Sequence, residues 1–370
     1  MLRQTSKELI FVARSFDLPP VKRTSSLSDL HGLNERRLIE TLQRNHVAID
    51  FEKNLETLFG SSDKFLSELP VIKLFCQGLH SKIENDSCAF DKVKNEFSRQ
   101  GIDFILIKSA DSYPYESDNL DVLIKPYDLT KVVQMLKRIG YAELPQIREK
   151  HKFLFRKVGA FDELPVHIHT RVEWEGTKFI DTRDLWSRRT TVTENGGFYA
   201  PSPEDCILVT IAHLFFENHE IALHDLLKLD VCIKSHNIEW DYVFNHAHRL
   251  GWINALNLAL LLANKSYALL FSRDLLPKDV LSRIVESIRP CDKLILKTAK
   301  STRSGLAVLT IPYAVSAFYF VRKVMGDSDL ALSERLNNID FVVADIMKRK
   351  FNPVRNAPMN DETKLGLSMD

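Results

Sequence analysis

The chain has 370 residues, 45% of them hydrophobic and 27% charged, which is long enough for two or three units with cores of their own. Lys and Arg number 50 against 49 Asp and Glu, a formal charge of +1, so the electrostatic signature of a dedicated DNA- or RNA-binding protein is absent. Cys76, Cys88, Cys206, Cys232 and Cys291 are widely spaced with no CxxC, a pattern that suits a reducing cytosol and suggests neither a disulfide framework nor a zinc ribbon.

The first residues, MLRQTSKELIFVARSFDLPP, interrupt a short apolar run with charges and lack the pattern of a signal peptide, so a cytoplasmic location is expected. Residues 1–95 read as a helical region. In SDLHGLNERRLIETLQRN, Ser28 and Asp29 are candidate caps, and Leu33, Leu38, Ile39 and Leu42 recur at helical spacing. The helical pattern continues from Asp50 to Ile83, broken at Gly60-Ser61-Ser62 and at Pro70.

From about residue 96 the pattern changes to alternating strand and helix. IDFILIKS and DVLIKP read as strands, DLTKVVQMLKRIGYAE as an amphipathic helix, and HKFLFRKV and LPVHIHTRVEW as half-buried strands. Residues 96–200 therefore form an α/β or α+β unit. After NGGFYAPSPEDC, helix returns over 201–350, with Ser202 as a cap and Pro203 in the first turn. The tail, 351–370, is expected to be disordered. Residues 304–321 carry no charge, which reaches the lower limit for a membrane span. Pro312 interrupts the run and no other segment supports a span, so a buried helix, or two helical pieces meeting at Pro312, is expected.

The chemistry is to be sought where loops meet strand ends. In YPYESDNLDVLIKP, Asp118 and Asp121 bracket the start of a strand. Residues three apart on a regular strand face opposite ways, so both reach one ion only if Asp118 sits in the preceding turn or a bulge intervenes. Such a pair suits a hard divalent cation, and an Asx-type turn bonding its own backbone suits the same residues. Lys108, at the end of FILIKS, is either a phosphate-binding point charge or an exposed strand-end lysine. Strict alternation sets His167, His169, Arg171 and Glu173 on one strand face, as a site or as an exposed sheet surface. His213, His219 and His224 share no clean face and read as core or loop histidines.

In order, LIKS (106–109), YPYESDNLDVLI (113–124), GY (140–141), VHIHTRVEW (166–174), HDLLKLDVCI (224–233) and IEWDYV (238–243) resemble the motifs of the uncharacterised nucleotidyltransferase family in the polymerase β nucleotidyltransferase superfamily. The resemblance covers about residues 100–260 and implies an α+β fold, a small mixed β-sheet nucleotidyltransferase core flanked by helical regions. For function it implies metal-dependent transfer of a nucleoside monophosphate from an NTP to a hydroxyl acceptor, with Mg²⁺ or Mn²⁺ as cofactor. The acceptor is left open among a small molecule, a protein and RNA. Aligned on the family, Asp121 keeps one carboxylate, Asn119 replaces another, and His167 stands where a third is expected, with Asp118 one residue early. The implied roles are metal ligands for Asp118 and Asp121, catalysis for those two and His167, and nucleotide contacts for Lys108, Ser109, Asn119, His169 and Glu173. The lost acids leave a second reading, a degenerate fold that binds a nucleotide or a protein without catalysis.

Overall fold

A computed structural model of the chain describes residues 6–16, 33–59, 69–108, 116, 119–145, 150–159, 164–174, 176–192, 197–298, 309–327, 332–336 and 338–340. Its centre is a mixed seven-stranded sheet in the order β3-β4-β5-β2-β1-β9-β8. The strands are β1 (Phe104–Leu106), β2 (Leu120–Ile124), β3 (Tyr141–Leu144), β4 (Lys152–Lys157), β5 (Val166–His169), β8 (Thr190–Val192) and β9 (Phe198–Ala200). β2 runs parallel to β5, and β1 parallel to β9, while the other neighbours are antiparallel. The chain is thus α+β, as its sequence pattern predicts.

Alternation along the strands sorts side chains onto two faces. Leu120, Val122 and Ile124 of β2, with Val166, Ile168 and Phe155, bury against Phe90, Val93 and Phe97 of α4 (Pro70–Arg99) and against Val132, Met135 and Leu136 of α5 (Leu129–Arg138). The opposite face carries Asp121, His167 and His169, and the register places Lys152 beside His169. Both faces of β2 are covered, and all five of its residues are buried.

Helices cover that second face. α7 (Pro203–Ala212) begins where Ser202 Oγ accepts the Asp205 N–H at 3.2 Å, with Pro203 in its first turn. It leads into a six-residue π-helical turn, His213–Asn218, instead of continuing as α-helix. α10 (Ile253–Phe271) is the one helix among the described residues long and apolar enough to cross a membrane, and two thirds (67%) of that stretch is buried in the protein. Its core also takes in Leu9 and Val12 of α1 (Lys7–Phe16), Leu38 and Leu42 of α2 (Glu35–Asn45), and Phe51 and Leu55 of α3 (Ala48–Phe59). N-terminal and C-terminal helices therefore share one apolar interior, and α4 runs through residue 95 to deliver its last turns to the sheet.

Several expectations need correction. LPVHIHTRVEW is not one alternating strand: β5 ends at His169, and Glu173 belongs to β6 (Glu173–Trp174), which pairs with β7 (Thr177–Lys178) in a separate ribbon. Helix α2 is capped by Asn34, whose side chain accepts the Arg37 N–H at 3.0 Å. The candidate caps Ser28 and Asp29 lie outside the described residues, as does the tail 351–370. Glu220–Ile221 forms strand β10, paired with β11 (Leu309–Thr310), ahead of α8 (Leu223–Ser235). The described part of the uncharged 304–321 run is that strand followed by α13 (Tyr313–Met325), which starts after Pro312. It is one strand and one helix, because proline accepts the first helical turn but not the interior.

Candidate active site

Asp121 is the buried centre of the site, 3% exposed at the second position of β2. His169, from the neighbouring parallel strand, places Nε2 2.8 Å from its Oδ1. Lys108, just past β1 on the other side, places Nζ 3.4 Å from its Oδ2. Burial pushes the Asp121 carboxyl up, but the Lys108 ammonium and the two histidines more than offset it and hold it well below the ordinary carboxylate range. Burial lowers His169 despite the pull of Asp121. A neutral His169 facing an ionised Asp121 donates its Nε2–H, which fixes the tautomer.

His167 lies across from Asp121 in the β2–β5 register, with Nδ1 3.5 Å from Asp121 Oδ1. The alignment is not that of a hydrogen bond, and this buried nitrogen has no hydrogen-bond partner among the described residues. One ring nitrogen beside an ionised carboxylate is thus left to meet a proton or a ligand.

Above the sheet, the π-helical turn delivers a second carboxylate, Glu217. Its Oε2 accepts the Trp174 indole N–H at 2.7 Å and lies 3.1 Å from His213 Nε2 and 3.4 Å from Lys108 Nζ. Its Oε1 lies 3.9 Å from Lys152 Nζ. Burial would raise Glu217, yet Lys108, His213 and Lys152 reverse the sign and hold it well below the usual carboxylate range. A π turn is a frequent device at functional sites, since one extra residue re-aims the side chains after it.

Six of the expected site residues are described, and they fall into two groups. Asp121, His167, His169 and Lys108 converge. Asn119 stands half-buried one residue before β2, and Glu173 lies in the β6–β7 ribbon, 3.7 Å from Arg171. Asp118 and Ser109 lie outside the described residues. Sequence reading missed Glu217, Lys152, Trp174 and His213. Trp174 ends the VHIHTRVEW motif, and Lys152 lies in the predicted strand HKFLFRKV, which the structure pairs with β5 so that Lys152 sits beside His169.

The other motif residues hold the scaffold. Lys228, in HDLLKLDVCI, donates to the Lys108 carbonyl and secures the chain at the end of β1. Asp225 Oδ2 accepts the Ala222 N–H at 3.0 Å at the start of α8, and Asp230 accepts from Lys234 at 2.7 Å. Tyr242, in IEWDYV, donates to Asp205 Oδ1 at 2.8 Å beneath the Arg188 guanidinium. Gly140 turns the chain into β3 at φ +92°, where a side chain would be strained.

The arrangement is a strand-borne aspartate between a lysine and a histidine strand, on a mixed sheet with helices over it. The model of the uncharacterised nucleotidyltransferase family matches residues 84–268, half of the chain, and the protein belongs to that family. No curated protein and no solved structure matches it. The family suggests an NTP as substrate and a divalent metal in general.

The described residues do not build a resident two-ion centre. Among the described residues no group of three or more His, Cys, Asp and Glu side chains is placed to hold a metal. Asp121 already faces an ammonium on one oxygen and an imidazole on the other. A single carboxylate of this kind suits an ion that arrives on a triphosphate and keeps most of its other ligands from phosphate and water.

Proposed function

We propose that the chain binds an NTP over the Asp121 face of the sheet and transfers its nucleoside monophosphate to a hydroxyl acceptor. The observation that carries this reading is the buried, ionised Asp121 held between Lys108 and His169 on the central strand of the seven-stranded sheet. In the reaction the acceptor oxygen bonds to the α-phosphorus, the bond from that phosphorus to the β-bridging oxygen breaks, and pyrophosphate leaves. In this reading His167 takes the acceptor's proton, which its Nδ1, without a hydrogen-bond partner beside Asp121, supports. Lys108 neutralises phosphate charge as the bond to the leaving group lengthens. Mg²⁺ or Mn²⁺ entering with the nucleotide would be held by Asp121, with Asp118 proposed as a second carboxylate and Asn119 as an uncharged oxygen donor. Ser109 and Glu173 are proposed as further nucleotide contacts.

Titration calorimetry with each of the four NTPs, with and without Mg²⁺ or Mn²⁺, tests the reading on the wild type and on Asp121→Ala. Metal-dependent binding that the variant loses is the expected result, and label transfer to an acceptor completes it. A specific observation also favours the degenerate reading: both Asp121 oxygens are already engaged by protein cations or imidazole. Nucleotide binding that is indifferent to metal and to Asp121→Ala, with no transfer, would establish that reading instead.

A further inference from the structure

Four donors reach one carboxylate above the sheet. Lys108 and Lys152 come from opposite sides of the Asp121–His169 pair, since β1 and β4 are separated in the sheet by β2 and β5. Three strand spacings amount to about 14 Å of sheet, yet both ammonium groups incline toward Glu217, at 3.4 and 3.9 Å. Trp174 adds an indole N–H at 2.7 Å and His213 a ring nitrogen at 3.1 Å. Two point charges and two further nitrogen donors converging on a single anion are what a phosphate oxygen requires, and neutral hydrogen bonding alone would not call for both lysines. A carboxylate and a phosphate present equivalent acceptor oxygens to such donors. Glu217 is also the accessible acid of the site: its side chain is 32% exposed, against 4% for Asp121.

We infer that the Glu217 carboxylate is an internal stand-in for a substrate phosphate: it fills a polyphosphate cradle built by Lys108, Lys152, Trp174 and His213, and an incoming triphosphate displaces it. The inference rests on the proposed NTP-binding reading and assigns the part of the site that takes the phosphate tail. It gives Glu217 a definite task. Without an occupant two ammonium groups would converge across the cradle with the Asp121 carboxylate beside only one of them, so Glu217 holds the cradle shaped for its ligand and sets a threshold that only a more highly charged anion passes.

The sign of the Glu217→Gln effect separates this inference from a positioning or metal-holding role. Glutamine keeps an acceptor for the Trp174 N–H and removes the competing charge. Inorganic tripolyphosphate, without metal, is titrated into full-length wild type, Glu217→Gln and Glu217→Asp, with thermal melts to establish that each is folded. Tripolyphosphate is expected to bind Glu217→Gln at least tenfold more tightly than wild type. In wild type it is also expected to shift the Trp174 indole N–H resonance, assigned with Trp174→Phe, and this readout needs no Glu217 variant. Equal or weaker binding by Glu217→Gln overturns the inference, as does a Trp174 resonance unmoved at saturation. If Glu217→Gln loses Mg²⁺-dependent ATP binding without gaining tripolyphosphate affinity, Glu217 is a ligand for the ion and the inference is likewise overturned. Failure of the NTP-binding reading looks different, because wild type and variants would then all ignore both ATP and tripolyphosphate. Tighter tripolyphosphate binding without nucleotidyl transfer would support the cradle and remove only the catalytic step.

Discussion

At the scale of single residues, charge compensation around Asp121 decides both stability and chemistry. Asp121→Asn keeps the shape and an acceptor oxygen but leaves Lys108 with Glu217 as its carboxylate partner, and it removes the charge that draws His169 upward. A hydrogen bond to a charged group contributes roughly 1.5–3 kcal/mol, so chemical denaturation of Asp121→Asn should show a loss of about 2 kcal/mol. Its His169 ring should resist protonation further into the acid range by NMR. A variant as stable as wild type would mean that Asp121 is poorly compensated in the native protein. The sequence made part of this legible. Asp121 and His169 sit on strands, and Lys108 just past one, whose alternation and motif order can be read directly; β2 meets β5 in parallel and β1 antiparallel, which brings the three together. Glu217 could not be found in that way, because its position depends on a π turn inside what reads as a continuous helix. One inserted residue alters every facing angle after it and leaves no mark on composition.

At the scale of elements, the π turn is held by aromatic packing. Phe216, the residue before Glu217, stacks on Phe179 with ring centroids 4.2 Å apart, and Phe179 also packs edge-on against Trp174 at 5.9 Å and Trp252 at 5.9 Å. Phe179 is fully buried. It therefore touches both the ring that precedes the cradle's carboxylate and the indole that bonds to it. Phe179→Ala should cost about 3–5 kcal/mol, the usual loss for a large aromatic in a packed core. Nucleotide affinity should fall as well, since Trp174 and Glu217 lose a common support. Phe179→Leu fills most of the volume and should recover most of the melting temperature but only part of the affinity. Recovery of affinity in full would show that the aromatic stack does not set the turn. The strand-to-ribbon break after His169 teaches the same lesson from the other side. Period-2 alternation continues through Glu173 in the sequence, yet the chain bends at 170–172 and the Val172 N–H donates to Thr182 Oγ1 at 3.3 Å. Tertiary contacts end the strand where local pattern alone would extend it.

Across the whole molecule, two titratable groups, a buried histidine and a half-buried glutamate, give opposite pH dependences. Burial lowers His246 to about 4, and its Nε2 accepts the Asp181 N–H at 3.3 Å, a role only the unprotonated nitrogen can fill. In the unfolded chain a histidine titrates near 6.5. Between those values the unfolded state binds more protons, so the His246 contribution is fully present above about pH 6.5 and is lost as pH falls toward 4. Glu116 behaves in reverse. Burial raises its carboxyl to about 7 against the opposing pull of the Ile49 N–H, whose bond to Oε1 is 2.8 Å at the start of α3. Its native state holds the proton longer than the unfolded chain, so its contribution is present at low pH and is lost as pH rises toward 7. Each acts with a slope of up to about 1.4 kcal/mol per pH unit, and over pH 5–6.5 the two oppose one another in the wild type. Substitution unmasks them. Relative to wild type, the stability of His246→Gln should fall as pH rises through this window, and that of Glu116→Gln should rise. Denaturant titrations at half-unit intervals read the slopes directly. Parallel curves for all three proteins would mean that neither group titrates differently on unfolding. The pairing joins α3 in the N-terminal helical region to α9 (Trp240–Arg249) in the C-terminal one, and both belong to the same apolar core. A single cooperative transition in each titration is therefore the expected form, because helices that share one interior cannot melt in separate steps without exposing it.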